Sequence, residues 1–232
     1  MVLISRAGKI MKLLPQPREP VTCAVDPTTG NLAVTIAYQG SGGEVLVYPN
    51  ASGTPASYTN PNVSLYQFAG YDPGGNLFVD GYDSSVGNFI LLELPYSGGS
   101  LRTIPVSGMI NYPGSLQWYA PGNYLAVGDG PCFNSSQLND CVEWVSISGT
   151  TGTIVGATGL LNSSGGPACV VYQHVLTPDK AMRIAGTAYA TSCYGYGPNS
   201  AYLWSYPTGG IPTSANSSVK FSVPVGAAIS SK

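Results

Sequence analysis

One short pattern recurs four times in this chain, and it restricts the fold more than any other feature. Val25-Asp26-Pro27-Thr28-Thr29-Gly30-Asn31-Leu32-Ala33-Val34 returns as Tyr71-Asp72-Pro73-Gly74-Gly75-Asn76-Leu77-Phe78-Val79. A third copy is Tyr119-Ala120-Pro121-Gly122-Asn123-Tyr124-Leu125-Ala126-Val127, and a weaker fourth runs from Leu176 through Pro178 to Ile184. The prolines stand at 27, 73, 121 and 178, so the spacings are 46, 48 and 57 residues. Periods of this length mark repeat architectures. In each copy an apolar strand enters a turn where Pro fixes φ and Gly or Asn accepts a positive φ. A second strand leaves at once, which makes a hairpin.

The rest of each unit has the same grammar. Third strands are expected at 44–48, 89–94, 142–147 and 201–206, and Gly-rich turns then lead to polar fourth strands such as 100–106 and 219–223. Four short strands per roughly 45 residues is the signature of a propeller blade. The expected organisation is a single all-β domain over 1–232: a partial blade at 1–18, full blades at 19–62, 63–110, 111–166 and 167–224, and at 225–232 either a tail or the start of the next blade. Two completions are open at this stage, a five-bladed closure and a fragment of a six-bladed ring.

Val25-Asp26-Pro27, then Gly30-Asn31-Leu32-Ala33-Val34, then Glu44-Val45-Leu46-Val47-Tyr48 resembles the NHL-repeat type of β-propeller. It is similar also to secreted bacterial propeller proteins with V-Y-P-x-x-x-G-G repeats. These motifs specify turns rather than chemistry. The resemblance implies a fold that hosts protein-binding modules, lactonases and lyases, so function has to be argued from the site.

Charge narrows the partners. The 232 residues are only 9% charged, and the stretch from Glu19 to Asp179 holds all eleven acids against one base, Arg102. That balance disfavours phosphate backbones and argues against nucleic acid. No apolar run reaches the ~18 residues of a membrane span. Many Tyr, Asn, Ser and Thr with five cysteines read as an extracellular or periplasmic protein, although no signal peptide is visible at the start. Five Asn-x-Ser sequons, at Asn50, Asn62, Asn134, Asn162 and Asn216, are expected from composition alone.

The candidate residues fall into four groups. Cys132 and Cys141 are spaced to staple one loop, Cys169 and Cys193 offer a second disulfide, and Cys23 reads as a buried thiol. His174, the one histidine, shares the inner-strand position of Cys23, Ala69 and Gln117, where it is either packed and hydrogen-bonded or turned to the channel. Asp80, Asp83 and Asp129 close second strands at positions read as equivalent, and they suit a hard cation such as Ca2+ or serve as turn caps. Trp118 is placed on a channel-side strand, and Trp144 and Trp204 are read in one register. Tyr38, Tyr82, Tyr194 and Tyr196 offer a platform for sugars. The expectation is a non-catalytic recognition or scaffold propeller that binds a protein or glycan through loops 36–43, 80–88, 128–140 and 187–200. The alternative is a metal-dependent, lactonase-like hydrolase.

Overall fold

Short apolar segments broken by Pro, Gly and Asn satisfy their backbones most readily by antiparallel pairing. The computed structural model describes residues 2–4, 10–14, 19–37, 43–130, 140–168, 174–177, 182–188 and 200–216. Among them there is no α-helix, only 3-10 turns at Pro49–Ala51 and Ala120–Gly122. Two compact units divide the chain, Met1–Arg102 and Thr103–Lys232.

The first unit opens with a hairpin of β1 (Val2–Ile4) and β2 (Ile10–Leu13). One sheet then follows in sequence order, β3 (Pro20–Val25), β4 (Leu32–Ile36), β5 (Glu44–Tyr48) and β6 (Ala56–Tyr58). The next runs β7 (Val63–Tyr71), β8 (Leu77–Asp83), β9 (Phe89–Leu94) and β10 (Arg102–Ile104). Strand alternation divides the apolar side chains of β4 between two cores. Ala33 joins Val45 against Leu77, Val79 and Leu92, while Leu32, Val34 and Ile36 pack with Leu46, Tyr48 and Leu14.

The second unit repeats the plan. β11 (Val106–Ser107) lies parallel to β15 at the edge of a sheet made of β12 (Leu116–Tyr119), β13 (Tyr124–Asp129), β14 (Cys141–Ser148) and β15 (Thr151–Gly159). The last sheet is β16 (His174–Leu176), β17 (Arg183–Ala188), β18 (Ser200–Ser205) and β19 (Ser214–Asn216). The two sheets meet in an aromatic core. Tyr124 stacks on Trp144 at 5.4 Å, Tyr119 meets Tyr206 edge-on at 4.8 Å, and the Tyr206 hydroxyl donates to that of Tyr124 at 2.8 Å. Among the described residues four blades of four antiparallel strands are thus present, one of them extended by the parallel edge strand β11, as the repeat implies.

The turn chemistry explains the motif. Gly30, Gly75, Asn123 and Met182 all have positive φ, and each stands two residues before the first core aliphatic of its second strand, Leu32, Leu77, Leu125 or Ile184. Asp26 accepts from the Thr28 N–H at 2.9 Å, and Asp72 from the Asn76 N–H at 2.8 Å. The motif asparagines reach further. Asn31 Oδ1 accepts from the Asn50 N–H and Asn76 Oδ1 from the Tyr96 N–H, both at 3.0 Å, tying each hairpin to the turn that follows its third strand.

Several expectations shift. The third strands at 44–48 and 89–94 stand as expected, but the segment 100–106 is interrupted at Pro105, which has no N–H and whose carbonyl accepts from Gly152. In the last sheet the fourth strand is Ser214–Asn216; the expected 219–223 lies outside the described residues. Trp144 and Trp204 are one step out of register, since Trp144 pairs with Ala126 and Trp204 with Ile184, the counterpart of Leu125. They therefore leave opposite faces of their own sheets, which is why both enter the one core between them.

Asn76→Ala is expected to lower unfolding free energy by about 1 kcal/mol through the lost clamp. Gly75→Ala is expected to cost more than Asn76→Ala, because a Cβ at φ +83° meets Tyr96 Cδ2 at 2.6 Å. Urea denaturation of both variants checks the order.

Candidate functional site

The carboxylates turn inward to serve the backbone. In β7 a bulge sets Gln67 and Phe68 opposite the single residue Asp80, which frees one N–H and one carbonyl from the ladder. Asp80 Oδ1 accepts the Phe68 N–H at 2.7 Å, and the Thr35 hydroxyl of the preceding sheet donates to the Gln67 carbonyl at 2.7 Å. Thr35 Oγ1 in turn accepts from the Thr22 N–H at 3.1 Å. Thr35 and Asp80 are both fully buried. Asp83 has a different task. Its carboxylate accepts from the N–H groups of Ser85, Val86 and Asn88 and from the Ser85 hydroxyl, shaping the β8–β9 loop. Those donors, the Val86 N–H foremost, hold it down to about 2. Tyr82 sits half-buried beside it.

Asp80 and Asp129 are not equivalent. Counted from Leu77 and Leu125, the counterpart of Asp80 is Gly128, and Asp129 is displaced one residue onto the opposite face. The Asp129 carboxylate anchors the chain before β12, accepting from the Asn111 and Tyr112 N–H groups at 3.0 Å each. Burial still raises its pKa above the usual carboxylate range. Across β14 lies Glu143, 2% exposed and pushed up to about 7, first by burial and then by the Asp129 charge.

His174 is packed rather than open. Its backbone N–H donates to Ser115 Oγ at 3.1 Å, and its Nδ1 lies 2.8 Å from the same oxygen. An Oγ that accepts the backbone proton and gives its own to Nδ1 leaves the ring hydrogen on Nε2. Nε2 is buried and has no partner among the described residues. Burial depresses the ring to about 4, so it is neutral at physiological pH. Gly128 makes the room, since a Cβ there meets His174 Cε1 at 2.9 Å. Two residues along β12, Gln117 repeats the link, accepting from the Leu176 N–H at 2.8 Å and donating to its carbonyl at 3.3 Å. The inner-strand positions of His174, Cys23 and Ala69 do match in register, through Gly186, Val34 and Val79, whereas Gln117 is one residue off.

Cys23, expected to be a buried thiol, is an exposed one, because Val21, Cys23 and Val25 share the open face of β3. The Cys141 sulfur is held in a disulfide. Trp118 is half-buried on β12. Tyr38, Tyr194, Tyr196, Cys132, Cys169 and Cys193 lie outside the described residues. Asp80, Asp83, Asp129 and His174 thus each hold local structure within their own unit.

Sequence reasoning passed over Ser115, Thr35 and Glu143. Only Glu143 had a visible signal, a lone acid in the apolar run Cys141-Val142-Glu143-Trp144-Val145. Ser115 is 59 residues from the histidine it holds, beyond any local pattern.

No protein-family model matches the sequence, and no curated protein matches it. Solved structures do. A nidogen/laminin complex contains a chain that superposes with a TM-score of 0.53 at 15% identity, over 88% of this chain and 69% of that one. The PQQ-bound aldose sugar dehydrogenase of Streptomyces coelicolor gives 0.52 at 12%, over 87% and 69%. A periplasmic gluconolactonase of Pseudomonas aeruginosa gives 0.39 at 19%, and this chain spans 49% of its length. The first two show the fold, a β-propeller.

Asp80→Ala is expected to destabilise the protein by about 1–3 kcal/mol, because it strands the Phe68 N–H in the interior. A double-mutant cycle with Thr35→Val should show coupling, since both side chains satisfy one bulge. The histidine sets a pH dependence. Its folded value, about 4, lies below the unfolded 6.5, so the unfolded state binds the extra proton. Stability is full above 6.5 and falls by about 3 kcal/mol as pH drops to 4. His174→Gln should flatten that slope in thermal melts across the window.

Proposed function

We propose that this chain is an exported, non-catalytic recognition propeller of the NHL-repeat-like kind, acting as a single domain and binding a protein or glycan through its loops. One observation carries the reading: Asp80, Asp83, Asp129 and His174 each hold backbone or side-chain groups of their own unit, while the connecting segments present apolar side chains to solvent. Val86 in the β8–β9 loop is 70% exposed, and Met109 and Tyr112 stand open ahead of β12. The likeness to a chain from a nidogen/laminin complex agrees with a binding role, and the likeness to a sugar dehydrogenase leaves room for an enzyme. The exported location rests on composition and on a disulfide that we assign to Cys132–Cys141, with Cys169–Cys193 as the second pair. The alternative is a metal-dependent, lactonase-like hydrolase using Ca2+, whereas Tyr38, Tyr82, Tyr194 and Tyr196 belong to the recognition reading as a platform for sugars.

Glycan-array and peptide-array binding tests the two ligand classes together. The expected result is a specific ligand whose affinity falls at least tenfold (about 1.4 kcal/mol) in Val86→Ser or Asp83→Ala, with the melting temperature of Val86→Ser unchanged. Empty arrays together with lactone hydrolysis abolished by Asp80→Asn support the enzyme instead.

A further inference from the structure

We propose that Asp129 and Glu143 form an interior site for one hard divalent cation, set between β13 and β14. Ligand atoms of Asp129, Cys141 and Glu143 lie within 4.8 Å of one another, and all three residues are buried. Two oxygens on one Ca2+ at about 2.3–2.6 Å stand up to about 5.2 Å apart, so this spacing suits a shared cation. Register explains the meeting. Glu143 pairs with Val127 and Cys141 with Asp129, so all four leave one face of the sheet, and Asp129 and Glu143 are diagonal neighbours.

Proximity of two acids is not the whole case. Glu143 Oε2 is buried and has no hydrogen-bond partner among the described residues. Its Oε1 lies 3.5 Å from Cys141 Sγ, but a disulfide sulfur has no proton to give and no thiolate to share. A buried carboxylate without a donor is costly, and the diagonal Asp129 adds a second negative charge. A cation answers both. Asp129 is suited to the partnership. Its Oδ1 carries the Asn111 and Tyr112 N–H bonds, the Gly130 N–H also serves the carboxylate, and Oδ2 takes a 3.4 Å contact from Asn111 Nδ2. Carboxylate oxygens with no available thiolate or imidazole select Ca2+, Mg2+ or Mn2+ over softer metals. The ion would cross-link two central strands of the second unit, a structural role independent of the recognition reading.

The test is calorimetric titration of the full chain with Mn2+, Mg2+ and Ca2+ in turn, paired with thermal melts and the Mn2+ electron paramagnetic resonance signal. The expected result is one site per chain, a melting temperature that rises with the bound ion, and affinity at least tenfold weaker in Glu143→Gln. Asp80→Asn and Asp83→Asn should bind as the parent does. Circular dichroism confirms that Glu143→Gln folds, and Glu143→Asp, which keeps the charge, is expected to retain part of the binding. No heat and no thermal shift with any of the three ions overturns the proposal. So does binding that survives in folded Glu143→Gln, or that is lost in Asp80→Asn.

Discussion

Burial of the central strands on both faces is the constraint on which the rest of this structure depends. Leu32, Ala33, Val34, Thr35 and Ile36 are consecutive and all inaccessible, as are Leu77 through Gly81 and Tyr124 through Asp129. A strand in that position sends alternate side chains into two different cores, and neither face offers water to a polar group. Any polar atom there must find a protein partner. Thr35 and Asp80 do so by completing the bulge of β7, and Ser115 and Gln117 by binding the backbone of β16.

That constraint separates the structural acids from the one that stands out. Asp26, Asp72 and Asp83 sit at turns and accept N–H groups from residues two to five positions along the chain. Asp80, in the middle of β8, and Asp129, at the end of β13, satisfy backbone that local pairing leaves out. Glu143 has the burial of these groups without their donors, and it shares a sheet face with Asp129. Its Oε2 is a buried carboxylate oxygen without a hydrogen-bond partner among the described residues.

Four full blades, their hairpin positions and their third strands were legible in the sequence because turn chemistry is local: Pro, Gly and Asn set φ within a few residues. Register was less legible. Asp80 and Gly128 each stand three residues after the first core aliphatic of their strand, so Asp129 is one residue past the equivalent position, and Trp144 falls one step from Trp204. A single residue of slip reverses the face, and this moved Asp129 away from Asp80 and brought it to Glu143. Cys23 shows a different limit, since one and the same register buries His174 and leaves the cysteine exposed.

The sequence by itself determined the repeated antiparallel blade, the turns that divide it, and an acidic body between Glu19 and Asp179. Those follow from φ preferences, strand alternation and net charge, each readable residue by residue. Only the tertiary structure decided which polar groups meet. The Ser115–His174 contact and the Thr35–Gln67 link each join residues of neighbouring sheets, 59 and 32 positions apart. Such contacts depend on how one sheet packs on the next, and no local pattern encodes that.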